Sequence, residues 1–395
     1  MKKLNLLFLM LVGACIMFTS CTDDNTDPDP ITEPEDEFIL NANITEDLTL
    51  KSGNVYTLTT RVFVLDGVTL TIEEGTIIKG EAGSGANATA LVVARGGKIM
   101  ANGTAEKPII FTSVADRVEP GQIYFPDGLS ANQSGLWGGL LILGKANASL
   151  KGNVTEMQIE GIPPSDTNGL YGGSDDEDNS GVLKYVSIRH GGANIGDGNE
   201  INGLTLGAVG SGTTIENVEV VGNQDDGIEW FGGTVNVKNA VVWNAGDDAI
   251  DADQAWKGTL DNFIVVSAGD KLFELDGPEG AYINGNYTLT NGSIIAQTAA
   301  GLVDNDDNTN VDMSNIYFTS LAAGQTFDQL PTVMSNFSNF QVTLPEGASV
   351  SDFFLGGSDA FTTAVAEGAN TVGADKSVFA GWSWAYVSGE LDILK

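Results

Sequence analysis

From Phe38 onward the chain is written in short runs in which apolar and polar residues alternate, each run ended by Gly, Asn or Asp. NVEVV and DGIEWF are clear examples. Period-two alternation puts one set of side chains on one face of a strand, so these runs predict β-strands. Three consecutive stretches also lie over one another: Ile215 to Gly233, Val237 to Trp256, and Leu260 to Gly277. Asn217, Asn239 and Asn262 recur at steps of 22 and 23 residues. Asp225, Asp247 and Asp270 keep the same steps, as do Ile228, Ile250 and Phe273. A unit repeated at a period of this size is one supersecondary element stacked on copies of itself. None of the three has room for a helix of about ten residues, which disfavours βαβ and leucine-rich-repeat folds. The pattern predicts an all-β protein, a right-handed parallel β-helix solenoid with N- and C-terminal caps.

The same pattern sets the expected boundaries. The β-helix is placed at 38–344, its first coils forming a cap with a polar outer face because open strand edges template aggregation. Asn291 and Asn315 continue the Asn series in the looser later coils. Asn suits a repeated turn position because it tolerates the left-handed region and its amide hydrogen-bonds to the coil above. Residues 345–395 break the period and form C-terminal coils and a cap. Trp382, Trp384 and Tyr386 are expected to cover the open end of the apolar stack.

Residues 1–20 have the pattern of a targeting segment: Lys2 and Lys3, then the apolar run Leu4 to Phe18, too short for a stable membrane span. Cys21 follows Ser20 and precedes CTDDNTDPDPITEPEDE, so 21–37 is expected to be a lipidated Cys and an acidic, disordered tether. Cys21 in this setting resembles the lipobox cysteine of bacterial lipoproteins. Cys15 is the rival site, although the mature chain would then begin with the apolar IMFTS. Acid directly after the cysteine is similar to the surface-export signal of Bacteroidota lipoproteins. ALVVARGGKIMANGTAEKPIIFTS, LWGGLLILGKANA, IEGIPPSDTNGLYGG, DNSGVLKYVSIRHGGANIGDGNE and GADKSVFAGWSWA carry a wider likeness. They resemble the extracellular parallel β-helix (pectin-lyase-like) lipoproteins of Bacteroidota, over about residues 40 to 395. That resemblance implies the fold and a lipid-anchored, surface-exposed outer-membrane location, but no settled activity.

Composition narrows the partners. The 395 residues carry a formal charge of −35. That charge argues against nucleic acid, whose phosphates need Lys and Arg, and against docking on anionic lipid except through a lipid anchor. It suits divalent cations, cationic partners or neutral sugars. No Cys follows position 21, so no disulfide staples the mature fold. With a single His and no such Cys, the usual zinc donors are missing.

Stacking the repeats sets acids in rows: Asp225, Asp247 and Asp270; then Asp226, Asp248 and Lys271; then Glu229, Asp251 and Glu274, extended by Asp253 and Asp276. Coils about 4.8 Å apart would hold these carboxylates close enough to repel unless solvent, a proton or a cation relieves them. One reading is a solvated acidic face. A second is a Ca²⁺ site built from Asp225, Asp226, Asp247, Asp248, Asp251, Asp253 and Asp270. A third is catalytic, with Lys271, Asp226 and Asp248 acting on an acidic polysaccharide as in pectate-lyase-type enzymes. There a Lys or Arg removes a proton beside calcium. DDGI and DDAI also resemble the Asp-Asp element of polygalacturonase-type hydrolases, whose companion His and Arg-x-Lys elements are not recognisable. His190, the lone His, is expected to be structural. Asp176 and Asp178, with Ser180 and Gly181, match part of a Ca²⁺ loop but lack its closing Glu. Asp304, Asp306, Asn308 and Asp312 form a similar run without the turn Gly. The function expected is a non-catalytic surface protein that binds a polysaccharide or a surface protein partner, with Ca²⁺ as the candidate cofactor. Trp230, Trp243 and Trp256 are its candidate sugar-stacking platforms. The alternative is a polysaccharide lyase or glycoside hydrolase.

Overall fold

A computed structural model describes residues 38–195 and 201–395. The targeting segment, Cys15, Cys21 and the acidic tether lie outside the described residues. Each repeat supplies one long and one short strand, and copies pair in parallel with the register the sequence predicts. Thr214–Val221 pairs with Asn236–Trp243, and that with Thr259–Val266, aligning Ile215, Val237 and Leu260. Ile228–Phe231 pairs with Ile250–Asp253, and that with Lys271–Leu275, aligning Ile228, Ile250 and Phe273. Among the described residues the long strands belong to a sixteen-stranded sheet, here sheet A, and the short strands to an eight-stranded sheet, sheet B. This is a parallel β-helix.

The Asn series turns the chain within each long strand. Asn217, Asn239, Asn262, Asn291 and Asn315 have φ of 58°, 57°, 59°, 58° and 58°, a left-handed conformation that Asn accepts more readily than most residues. Their amides form a ladder: Asn239 donates to Asn217 at 2.9 Å, Asn262 to Asn239 at 2.8 Å, and Asn315 to Asn291 at 3.3 Å. The ladder is interrupted once. Asn262 Oδ1 accepts from the backbone N–H of Asp375, and Asn291 donates to Asp261 instead.

Inward-facing Leu, Ile, Val and Phe fill one continuous core. Trp230 and Trp256 belong to it: both are fully buried and stacked with ring centroids 4.5 Å apart. They are therefore not sugar platforms. Trp230 alternates with Ile228 on its strand and so points inward, whereas Trp256 follows the left-handed turn at Gln254 and Ala255 and is held inward by its Nε1 bond to the Val235 carbonyl at 3.0 Å. Trp243 is half-buried with its ring edge-on to Trp384, and it too is occupied by the protein itself.

The two sheets differ in what covers their outer faces. On sheet B, Phe63, Val92 and Leu141 pack beneath Ile159, Ile162 and Tyr171 of an insertion between the strands Leu140–Leu143 and Gly181–Arg189. On sheet A, Val241, Ile264 and Tyr317 lie beneath Phe379, Trp382, Leu391 and Leu394. Residues 370–395 thus do not close the end of the stack. That end is covered by Phe353, Phe354 and Phe361, while the final segment runs back along the flank. It is pinned there by Glu219. This buried carboxylate accepts from Ser383 Oγ at 2.6 Å and from the backbone N–H groups of Trp384 and Ala385, each at 3.0 Å. Apolar outward residues on coils 241 to 317 need cover, and the tail supplies it. This is why its tryptophans sit on the flank.

Candidate functional site

The half of sheet B beyond the insertion's apolar contacts carries the acids. Glu229, Asp251, Glu274 and Asp304 occupy one outward row, paired strand to strand. Asp253 and Asp276 lie one row over, each directly after the paired residues Ala252 and Leu275. Burial decreases along the first row, from Glu229 and Asp251 at 6% and 8% exposed to Glu274, half-buried, and Asp304, exposed. The insertion and the loop after Gly277 flank the buried end. Tyr171 donates to Gln254 at 2.7 Å, Gln254 to Glu279 at 3.1 Å, and the Gly280 N–H to Ser149 Oγ at 3.0 Å.

Asp226 and Asp248 have a structural task that explains the repeated Asp-Asp. Asp226 Oδ1 accepts from the backbone N–H of Asp248 at 2.9 Å, and Asp248 Oδ1 from that of Lys271 at 2.5 Å. Each carboxylate therefore ties one coil to the next. Both are buried, as is Asp251 beside them.

Packing so many acids under low-dielectric cover drives them toward the protonated form. Burial, then Asp251, Glu160 and Asp226, hold Glu229 well above the usual carboxylate range. Burial and then Asp226, Glu274 and Asp253 do the same to Asp251, and burial and Asp225 to Asp226. Glu274 is pushed up to about 8, by burial first and then by its hydrogen bond to Asp248. Asp253 reaches about 8 and Asp276 about 7, both through burial and neighbouring acids. Glu229 lies against Asp251, and Glu274 against Asp248, so that protonating one member of either pair lets it donate to the other.

Three groups of acids bring ligand oxygens within 4.8 Å of one another: Asp225, Asp226 and Asp247; Asp226, Glu229 and Asp251; and Asp247, Asp248 and Asp270. The second is wholly buried, and Asp251 Oδ1 there has no hydrogen-bond partner among the described residues. Asn202 faces the same group, donating from Nδ2 to Glu229 and, at 3.1 Å, to Glu160, while its Oδ1 is buried without a partner. An all-oxygen set with orphaned acceptors fits a hard divalent cation.

The other expected site residues are placed elsewhere or otherwise employed. Lys271 Nζ pairs with Asp270 at 2.7 Å. Burial lowers its pKa, but Asp270, Asp248 and Asp304 raise it more, so it stays protonated at neutral pH. Asp176 accepts from the backbone and side chain of Asn147, both at 3.0 Å, and Asp178 from Ser180 at 3.2 Å. They fasten their own loop, and neither joins a metal-capable group among the described residues. Asp312 accepts from Asn286 and Asn336. His190 is buried on sheet A with Nδ1 at 2.6 Å from the Gln133 carbonyl, edge-on to Trp384. Glu160 and Asn202 had no repeat partner in the sequence, and nothing in the spacing marked them. Asp304 was visible only as part of an acidic run, not as the next member of the Glu229 row.

A family model described as a pectate-lyase-like β-helix domain matches residues 42–346. No curated protein and no solved structure matches.

Proposed function

The chain belongs to the pectate-lyase-like β-helix family, and on that premise we propose a non-catalytic, lipid-anchored surface protein. Its acidic face binds Ca²⁺ and, through it, a glycan or protein partner. The observation that carries this reading is the buried group Asp226, Glu229 and Asp251, with its oxygens within 4.8 Å of one another. Such a group needs protons or a cation to persist, and oxygen-only donors favour calcium over zinc. The state of Lys271 supports a binding role: a lysine held protonated by Asp270 is not the proton-abstracting base a lyase needs. Anchoring is assigned to Cys21, with display from the bacterial outer membrane.

A hydrolase is the second reading, favoured by one observation. Glu274 and Asp253 at about 8 keep a proton at neutral pH on half-buried positions, as a general acid must. Terbium luminescence and calorimetric calcium titration of wild type, Asp251→Asn and Glu229→Gln test the first reading. Saturable binding lost in both variants is expected, and equal binding in all three would overturn it. Cleavage of any acidic polysaccharide by wild type but not by Glu274→Gln would replace it with the second.

A further inference from the structure

The insertion that shelters the acidic face also lines an open cavity, and an arginine borders it. Its volume is about 650 Å³, and its walls include Ile159, Ile162, Pro163, Pro164 and Ile195. Arg61, the first residue of the strand Arg61–Val64 on sheet B, lines it as well. Among the described residues Arg61 Nε and Nη2 are buried without a hydrogen-bond partner. Asp166 attracts the guanidinium without hydrogen-bonding to it, its Oδ1 capping a short turn by accepting from the backbone and side chain of Asn168 at 3.0 and 2.9 Å. A guanidinium cannot shed its proton to escape, so a buried edge without an acceptor is costly unless a ligand brings a negative charge.

We propose that this cavity is a binding site for a small organic monocarboxylate with an apolar body, its carboxylate on Arg61 and its body against the Ile and Pro walls. A single charge is specified because Glu160 also lines the cavity and would repel a dianion. An apolar body is specified because the walls offer few polar groups to a sugar. The site is separate from the calcium reading, which can fail without affecting it.

The probes are cyclohexanecarboxylate and benzoate, their uncharged carboxamides, and inorganic phosphate, titrated into the purified full chain by calorimetry and saturation-transfer NMR. The carboxylates should bind roughly tenfold or more tightly than the amides, a difference of about 1.4 kcal/mol per tenfold. Arg61→Met should abolish the preference, and Ala86→Trp, which fills the cavity without altering the guanidinium, should block binding. Arg61→Met should also keep or raise the Tm of the ligand-free protein, because it removes buried N–H groups that have no acceptor among the described residues. Equal binding of acid and amide, preference for phosphate, undiminished binding by Arg61→Met, or no binding by wild type would each overturn the proposal. So would a fall in Tm for Arg61→Met in ligand-free protein, which would mark the arginine as structural.

Discussion

Raising the pH strips protons that the folded acidic face retains, and the cost can be worked out. Glu274 and Asp253 titrate at about 8 and Asp276 at about 7, whereas carboxylates of an unfolded chain titrate near about 4. The folded form therefore binds more protons between these values. The stability these groups contribute is fully present below the unfolded value and is lost as pH rises through about 7 to 8. Each retained proton gives a slope of about 1.4 kcal/mol per pH unit. All three groups are partly solvated, so together they are counted as one proton, giving a loss of about 3 kcal/mol from pH 5 to 7. With an unfolding entropy of roughly 2 cal/mol/K per residue, a folded unit running from Phe38 to Lys395 should lose about 4 °C in Tm. Asp226, Glu229 and Asp251 are displaced in the same direction and steepen the slope. His190, held low by burial, acts oppositely once the pH falls below its unfolded value of about 6.5. The assay is thus calorimetric melting in chelator from pH 5 to 8, comparing wild type with Glu274→Gln/Asp276→Asn. Wild type should fall and the variant stay flatter, and added calcium should flatten wild type by taking the protons' place. A wild-type Tm that is constant or rises over this range in chelator, matching the variant, would refute the reasoning.

Two further outcomes follow from the packing. Glu219→Gln leaves Arg189, fully buried with its Nη2 4.0 Å from Glu219, without its counter-charge. It should cost about 3–5 kcal/mol, and limited proteolysis read by mass spectrometry should cut the tail before 376 while the coils stay intact. Asn239→Ala puts a Cβ residue without a polar side chain at φ 57° and removes two ladder bonds. A loss of about 2–3 kcal/mol in chemical denaturation is expected, with Asn239→Gly recovering the conformational part.

Much of the fold was legible because a solenoid writes its register into the sequence. Asn217, Asn239 and Asn262 align by counting alone, and so do Glu229, Asp251 and Glu274. What counting misses is any contact between non-neighbouring coils. Trp230 and Trp256 looked like surface aromatics because a Trp beside acids has no spacing that says which way it points; strand alternation turns Trp230 inward, and the turn at Gln254 and Ala255 does so for Trp256. The tail tryptophans gave no sign of running back along a flank, since the apolar face they cover is scattered over Val241, Ile264 and Tyr317. Within the site, the acidic rows were readable. Their burial was not, because it depends on Tyr171, Glu160 and Asn202, which belong to no repeat. Arg61 was invisible for the same reason: its lack of a partner is a property of the insertion, not of its own strand.

The bond from the Trp384 N–H to Glu219 spans 165 residues. A stack whose coils touch only their neighbours can be built from one end and is finished at every step. Here the middle is not finished until Phe379, Trp382, Leu391 and Leu394 dock on it. A chain released early would carry intact coils with a bare carboxylate–guanidinium pair and exposed Val241 and Ile264 on its side. The flank is thereby closed by a segment remote in sequence, so the two parts of the chain are stable only together.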